Sequence, residues 1–190
     1  SSAFLIFAAR TEKSFSAGMR YLIWQIISGV LLLAGVLVFV QEGQSLAFEA
    51  IALPPISSLA DIPNAFRANP GGWLILAAVG IKCAFPGLHT WLTDGYPEAT
   101  PTGTVFLSAF TTKLAIYALI RAFAGTEVLI GIGAVMALFP IFYAVIENDL
   151  RRVLAYSMIN QVGFMVIGVG VGTDLALSGA AFHAFADVLF

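Results

Sequence analysis

Charge is scarce in this 190-residue chain: Asp, Glu, Lys and Arg make up 11% of it, against 59% hydrophobic residues and a mean hydropathy of +0.93. An ordinary soluble domain carries about 25% charge. A soluble core of this length cannot hide so much apolar surface, so the surrounding solvent is lipid. The net charge of −2 offers no basic field for nucleic acid. A single cysteine, Cys83, excludes a disulfide framework and any cysteine-based metal or iron–sulfur site within the chain. The two histidines, His89 and His183, are too few and too far apart to suggest a zinc site. Gly163, Gly168, Gly170 and Gly172 lie in an apolar helical run rather than after a strand, so they form no nucleotide-binding motif. No cofactor or metal is expected, and no nucleophile–base constellation points to a lipid-embedded enzyme.

What is present reads as an all-α, polytopic transmembrane bundle. A span needs about 20 mostly apolar residues. Residues 1–9 read as the tail of an apolar helix, followed by a polar turn over 10–20. Spans are expected at about 21–40, 71–90, 102–124, 127–147, 150–171 and 174–190, in one transmembrane domain covering 1–190. Both ends read as cut from a longer membrane protein. Residues 41–70 form a proline-rich polar loop, whose stretch 46–53 suits a membrane interface. Pro86 removes a backbone donor and Gly87 loosens the chain, so the second full span is expected to break there. Residues 88–101 are too polar to face lipid and read as a polar connection. Arg10, Lys13, Arg20, Arg151 and Arg152 fall on one side and Arg67 and Arg121 on the other, which makes the first side cytoplasmic or mitochondrial matrix. Tyr21, Trp24 and Trp73 sit where aromatic belts are expected.

Two lysines stand where lipid should forbid them. Lys82 lies in the middle of its span beside the Pro86–Gly87 break, and Lys113 near the middle of the next. A lysine at the bilayer centre costs about 2.5–3.5 kcal/mol on insertion scales and commonly marks an ion or proton path. The alternative is a buried carboxylate partner that only locks helices together. Two lysines on consecutive spans, one at a break, favour the first. Burial and a nearby carboxylate act on a lysine in opposite senses; one balanced between them can exchange protons near neutral pH. His183 and Asp187, spaced i,i+4, share a helix face and read as a relay pair or as a polar patch binding a neighbouring helix. His89 reads equally as a relay member or as a ring bonding a freed carbonyl. Asp94 and Glu98 read as a solvated turn or cap, or as gating or coupling residues. Glu147 and Asp149 are expected to cap a helix and pair with Arg151 and Arg152, with a coupling role as the alternative. Ser108, Thr111, Thr112 and Tyr117 either hold water or backbone near Lys113 or pack between helices.

Residues 82–99 (KCAFPGLHTWLTDGYPEA) resemble the lysine-bearing broken helix of the proton-conducting antiporter-like subunits, the large membrane subunits of respiratory complex I and of Mrp-type sodium/proton antiporters. Residues 108–121 (SAFTTKLAIYALIR) and 148–165 (NDLRRVLAYSMINQVGFM) agree, and 182–185 (FHAF) resemble the start of the family's later histidine-bearing helix. The SAFTTK block leans towards the D-type member of Mrp-like systems. The resemblance implies an inverted-repeat fold with discontinuous helices near the bilayer centre, of which this chain is a fragment. It implies that Lys82 pairs with a glutamate upstream of Ser1, that Lys113 is the relay residue of the following helix, and that His183 belongs to the later path. Thr93 and Gly87 depart from the family pattern, and Asp187 falls where many members carry a second histidine.

The expectation is a proton-translocating subunit of a hetero-oligomeric complex in the bacterial cytoplasmic membrane, with Lys82, Lys113 and His183 as relay. Its partners are other membrane subunits, lipid, protons and, in an antiporter, sodium. The competing expectations are a transporter for an anionic solute and a structural subunit with locked ion pairs. Any oxidoreductase activity would belong to the assembly.

Overall fold

The structure, a computed structural model, describes residues 2–45, 47, 49–56 and 61–189. These form α1 (Ala3–Phe7), α2 (Glu12–Gln41), α3 (Ile62–Ala68), α4 (Pro70–Lys82), α5 (Thr90–Glu98), α6 (Pro101–Ala122), α7 (Val128–Ile146), α8 (Leu150–Val171) and α9 (Asp174–Leu189). Four of them, α2, α6, α7 and α8, are long and apolar enough to cross a membrane. Their outer faces are apolar too: Phe142, Val145 and Leu154 are 73%, 80% and 64% exposed, the pattern of a surface covered by lipid or by other protein.

Three local expectations change. The polar turn over 10–20 is mostly helix. Thr11 and Ser14 form a reciprocal capping box, each backbone N–H donating to the other's hydroxyl at 3.0 Å. At 1.5 Å per residue, α2 is about 45 Å long and outruns a hydrocarbon core of about 30 Å; its charged first turns stand beyond the lipid. The loop over 41–70 contains the short helix α3. Of the proposed interfacial stretch 46–53, Leu46 and Phe48 lie outside the described residues. Ile51 is tied to α6 by its N–H donating to the Ala122 carbonyl at 2.6 Å.

The third change concerns the break. α4 ends at Lys82, before Pro86, because the chain turns left-handed at Ala84 (φ 59°) and again at Gly87 (φ 82°). Residues 88–101 are not a polar connection. They contain α5, a short helix whose Trp91, Leu92, Thr93, Gly95, Tyr96 and Pro97 are buried. Its packing neighbours are α1, α2, α6 and α8. The indole N–H of Trp91 donates to the Ile81 carbonyl at 2.8 Å, beside the Ala84 N–H at 3.2 Å, and ties α5 back to the end of α4. α4 and α5 are thus the two halves of one discontinuous span.

From there the chain alternates direction through α6, α7, α8 and α9. Arg20 reaches Asp94 and Arg151 reaches the carbonyls of Pro97 and Ala99. The start of α2, the end of α5 and the start of α8 therefore share one end of the bundle.

α7 and α8 pack through glycines. A Cβ on Gly163 would lie 2.7 Å from the Ala137 nitrogen, and one on Gly133 would lie 2.8 Å from the Gly163 carbonyl oxygen. Replacing Gly163 by valine is expected to force these helices apart and cost about 1–3 kcal/mol, seen as a lower thermal midpoint of the purified protein in detergent.

Candidate functional site

Lys82 is the last residue of α4. Its ammonium donates to the side-chain oxygen of Gln25 on α2. It lines a cavity of about 450 Å³ whose polar wall also includes Ser2, Ser28 and Thr111. Ser28 spends its hydroxyl on the Ala78 carbonyl, at 2.8 Å, which fixes α2 against α4 just before Lys82.

Lys113, at mid-α6, forms an ion pair with Asp187 of α9, Nζ to Oδ2 at 2.5 Å, with side chains only 9% and 17% exposed. The pair lines a second cavity, of about 500 Å³, together with Thr104, Ser108, Ser157 and Gln161. His183 of α9 pairs its Nε2 with the Gln161 side-chain oxygen of α8 at 2.8 Å. His183 and Asp187 share a face, yet they do not pair with each other. Asp187 turns to α6 and His183 to α8, because each finds a better-placed partner across the helix interface than one turn along its own helix.

The remaining candidates are dispersed. His89 does not use Nδ1 on a freed carbonyl: that atom is buried without a partner, and the ring packs on Phe139 at 4.8 Å. The Ile81 carbonyl at the break accepts from Trp91 and from the Ala84 N–H instead. Asp94 pairs with Arg20 at 3.0 Å, and Glu98 ends α5 at the same end of the bundle. Asp149 caps α8 by accepting from the Arg151 N–H at 2.9 Å, and Glu147 lies 3.9 Å from Arg152. Ser108 and Thr112 give their hydroxyls to helix carbonyls. Tyr117 is 54% exposed on the outer face.

Charge-based reading of the sequence misses Gln25 and Gln161, which are neutral; the signal available was an amide inside an apolar span. It also misses what Arg151 does beyond orientation. The Arg151 guanidinium donates to the carbonyls of both Pro97 and Ala99 at 3.1 Å, and it lines the Lys113 cavity. It closes the end of α5, where helix carbonyls lack internal partners. Arg151→Ala is expected to cost about 1.5–3 kcal/mol, the range for a hydrogen bond to a charged group, and to loosen α5, read as faster protease cleavage near Ala99.

All of residues 1–190 match the family model described as NADH:quinone oxidoreductase/Mrp antiporter, TM. The chain is 35% identical to NADH-quinone oxidoreductase subunit N of Desulforudis audaxviator over 99% of this chain and 39% of that protein. It is 28% identical to hydrogenase-4 component B of Escherichia coli over 100% of this chain and 30% of that one. The chain thus spans well under half the length of these relatives. Among solved structures, it superimposes on a chain of the Mrp complex from Dietzia sp. with a TM-score of 0.81 at 24% identity, covering 99% of this chain and 36% of that one. It also superimposes on a chain of the membrane-bound sulfane sulfur reductase, an archaeal respiratory membrane complex, with a TM-score of 0.79 at 25% identity, covering 99% and 40%. The apolar helices and the family agree on an integral, multi-pass membrane protein. The chain belongs to the NADH:quinone oxidoreductase/Mrp antiporter membrane family.

Proposed function

We propose that this chain carries protons through the membrane as part of a larger subunit, by way of Lys82, Lys113 and His183. The observation that carries the reading is the Lys113–Asp187 pair, buried in mid-bundle on the wall of a cavity large enough for water and lined in part by Thr104, Ser108, Ser157 and Gln161. A pair that only locked helices would gain nothing from such a cavity. A relay needs the cavity, because protons move along hydrogen-bonded water and hydroxyls. Lys82 is the second station. Its partner among the described residues is an amide, and the resemblance supplies a glutamate from upstream; Ser2 lining the same cavity agrees with that direction. His183, held by Gln161, leads onward.

The proposed setting is a bacterial cytoplasmic membrane, within a complex of other membrane subunits. Relatives named as quinone oxidoreductase subunits suggest that redox chemistry elsewhere drives the protons, and the Mrp likeness suggests exchange with sodium. One observation keeps an anionic solute in play: Lys82 has no carboxylate beside it among the described residues.

Lys113→Arg tests the proposal. Arginine keeps the positive charge and the contact with Asp187 but does not release its proton. In inverted membrane vesicles containing the full-length subunit in its complex, the variant is expected to assemble normally and to lose proton movement. Wild-type transport by Lys113→Arg would leave only the structural role.

A further inference from the structure

Helices α2 and α4 run antiparallel in a register set by small residues. A Cβ on Gly71 would lie 2.7 Å from the Phe39 Cα, and one on Gly35 would lie 2.9 Å from the Ile75 nitrogen. Farther along, Ser28 donates to the Ala78 carbonyl at 2.8 Å. The next rung, one turn on in each helix, brings Gln25 to Lys82. Its amide oxygen accepts from the ammonium. A lysine ammonium has only donors, so the oxygen must face Lys82 and the NH2 must point elsewhere. That NH2 is buried and has no acceptor among the described residues. Gln25 also lines the Lys82 cavity.

Packing alone does not account for this side chain. Gly35, Gly71 and Ser28 already hold the register, and an apolar residue would avoid burying the NH2. The hydrogen bond that Gln25 makes is the one to Lys82.

We propose that Gln25 is the positioning residue of Lys82: its neutral oxygen holds the ammonium at the cavity wall and adds no negative charge to keep the proton there. This rests on the relay reading above. A carboxylate in the same place would retain the proton, and an apolar side chain would leave the ammonium unheld. The amide lies between. No other charged or titratable side chain among the described residues lines this cavity. On the helices packed against α4, Arg20 is bonded to Asp94, Tyr21 to Ser2 and Lys113 to Asp187, and Tyr117 is on the outer face. Glu12, Lys13, Arg67 and Arg121 stand in the terminal turns of theirs.

The test follows proton movement against pH in inverted vesicles, with the full-length subunit in its complex at matched amounts of assembled protein. Gln25→Glu keeps the shape and places a carboxylate on the ammonium. It is expected to assemble and to move the pH of half-maximal rate upward by about one unit or more, a fall of at least about tenfold at neutral pH. Gln25→Leu removes the acceptor. It is expected to move the same midpoint downward by about half a unit or more, with a smaller fall in rate. If the leucine variant does not assemble, the upward shift with glutamate decides. A glutamate variant that fails to assemble would contradict the proposal, because the carboxylate fits the place of the amide and pairs with Lys82. Midpoints unmoved, or moved the same way in both variants, would make Gln25 a packing residue and overturn the proposal; with Lys82→Met inactive, the relay would still stand. Wild-type rates in Lys82→Met would remove Lys82 from the relay and the proposal with it.

Discussion

Asp187→Asn is expected to destabilise the assembled subunit by about 3–5 kcal/mol, the cost of leaving one member of a buried ion pair without its partner. Lys113 is only 9% exposed, so cavity water replaces the lost carboxylate only in part, and asparagine offers a dipole in place of a charge. The double variant Lys113→Met/Asp187→Leu removes both charges and fills the space with apolar atoms. Replacing a buried pair in this way is often neutral or stabilising, so the double variant is expected to recover the thermal midpoint and the yield of complex. Proton movement is expected to stay lost. Stability restored without transport separates the relay from a structural lock: a pair retained only for stability would give back both. Thermal midpoints of the purified complex, read beside vesicle proton movement, check both halves.

Lys82→Met is the second large effect. Methionine matches the apolar stem of lysine, and the ammonium it removes holds one amide, that of Gln25. The structural loss is therefore about one hydrogen bond, roughly 1 kcal/mol, and the break between α4 and α5 remains. Proton movement is expected to fall at least about a hundredfold, the lower range for removing a positioned proton-transfer group. Gln25→Leu is expected to act more mildly, because it takes away a partner and leaves the titrating group in place.

Much of this architecture could be read from the residues, and the failures have physical causes. Runs of apolar residues marked the helices from α6 to α9 because lipid rewards unbroken apolar faces. Pro86 and Gly87 marked the discontinuity because they remove a donor and admit a positive φ. The helix within 88–101 escaped notice because Asp94, Glu98, Pro97 and Pro101 make the stretch too polar and too interrupted to read as a lipid-facing span. What makes it helical is tertiary: Trp91, Leu92 and Tyr96 are buried, while Arg20 and Arg151 bind its far end. The same limit governs the site. Spacing along one helix joined His183 to Asp187, whereas their actual partners, Gln161 and Lys113, come from other helices. Unlike Lys82, the amides Gln25 and Gln161 carry no net charge, so nothing in their cost announced them.

The central claim is that protons cross this chain by way of its buried lysines. The measurement that tests it most directly is proton movement in inverted vesicles holding the full-length subunit in its complex, wild type beside Lys82→Met at matched amounts of assembled protein. The vesicles are energised first with NADH and then with a sodium gradient. The account predicts that the wild type moves protons under at least one driving force and that Lys82→Met fails under that same one; the responsive force also identifies the kind of assembly. Equal proton movement by wild type and Lys82→Met under both driving forces would contradict it.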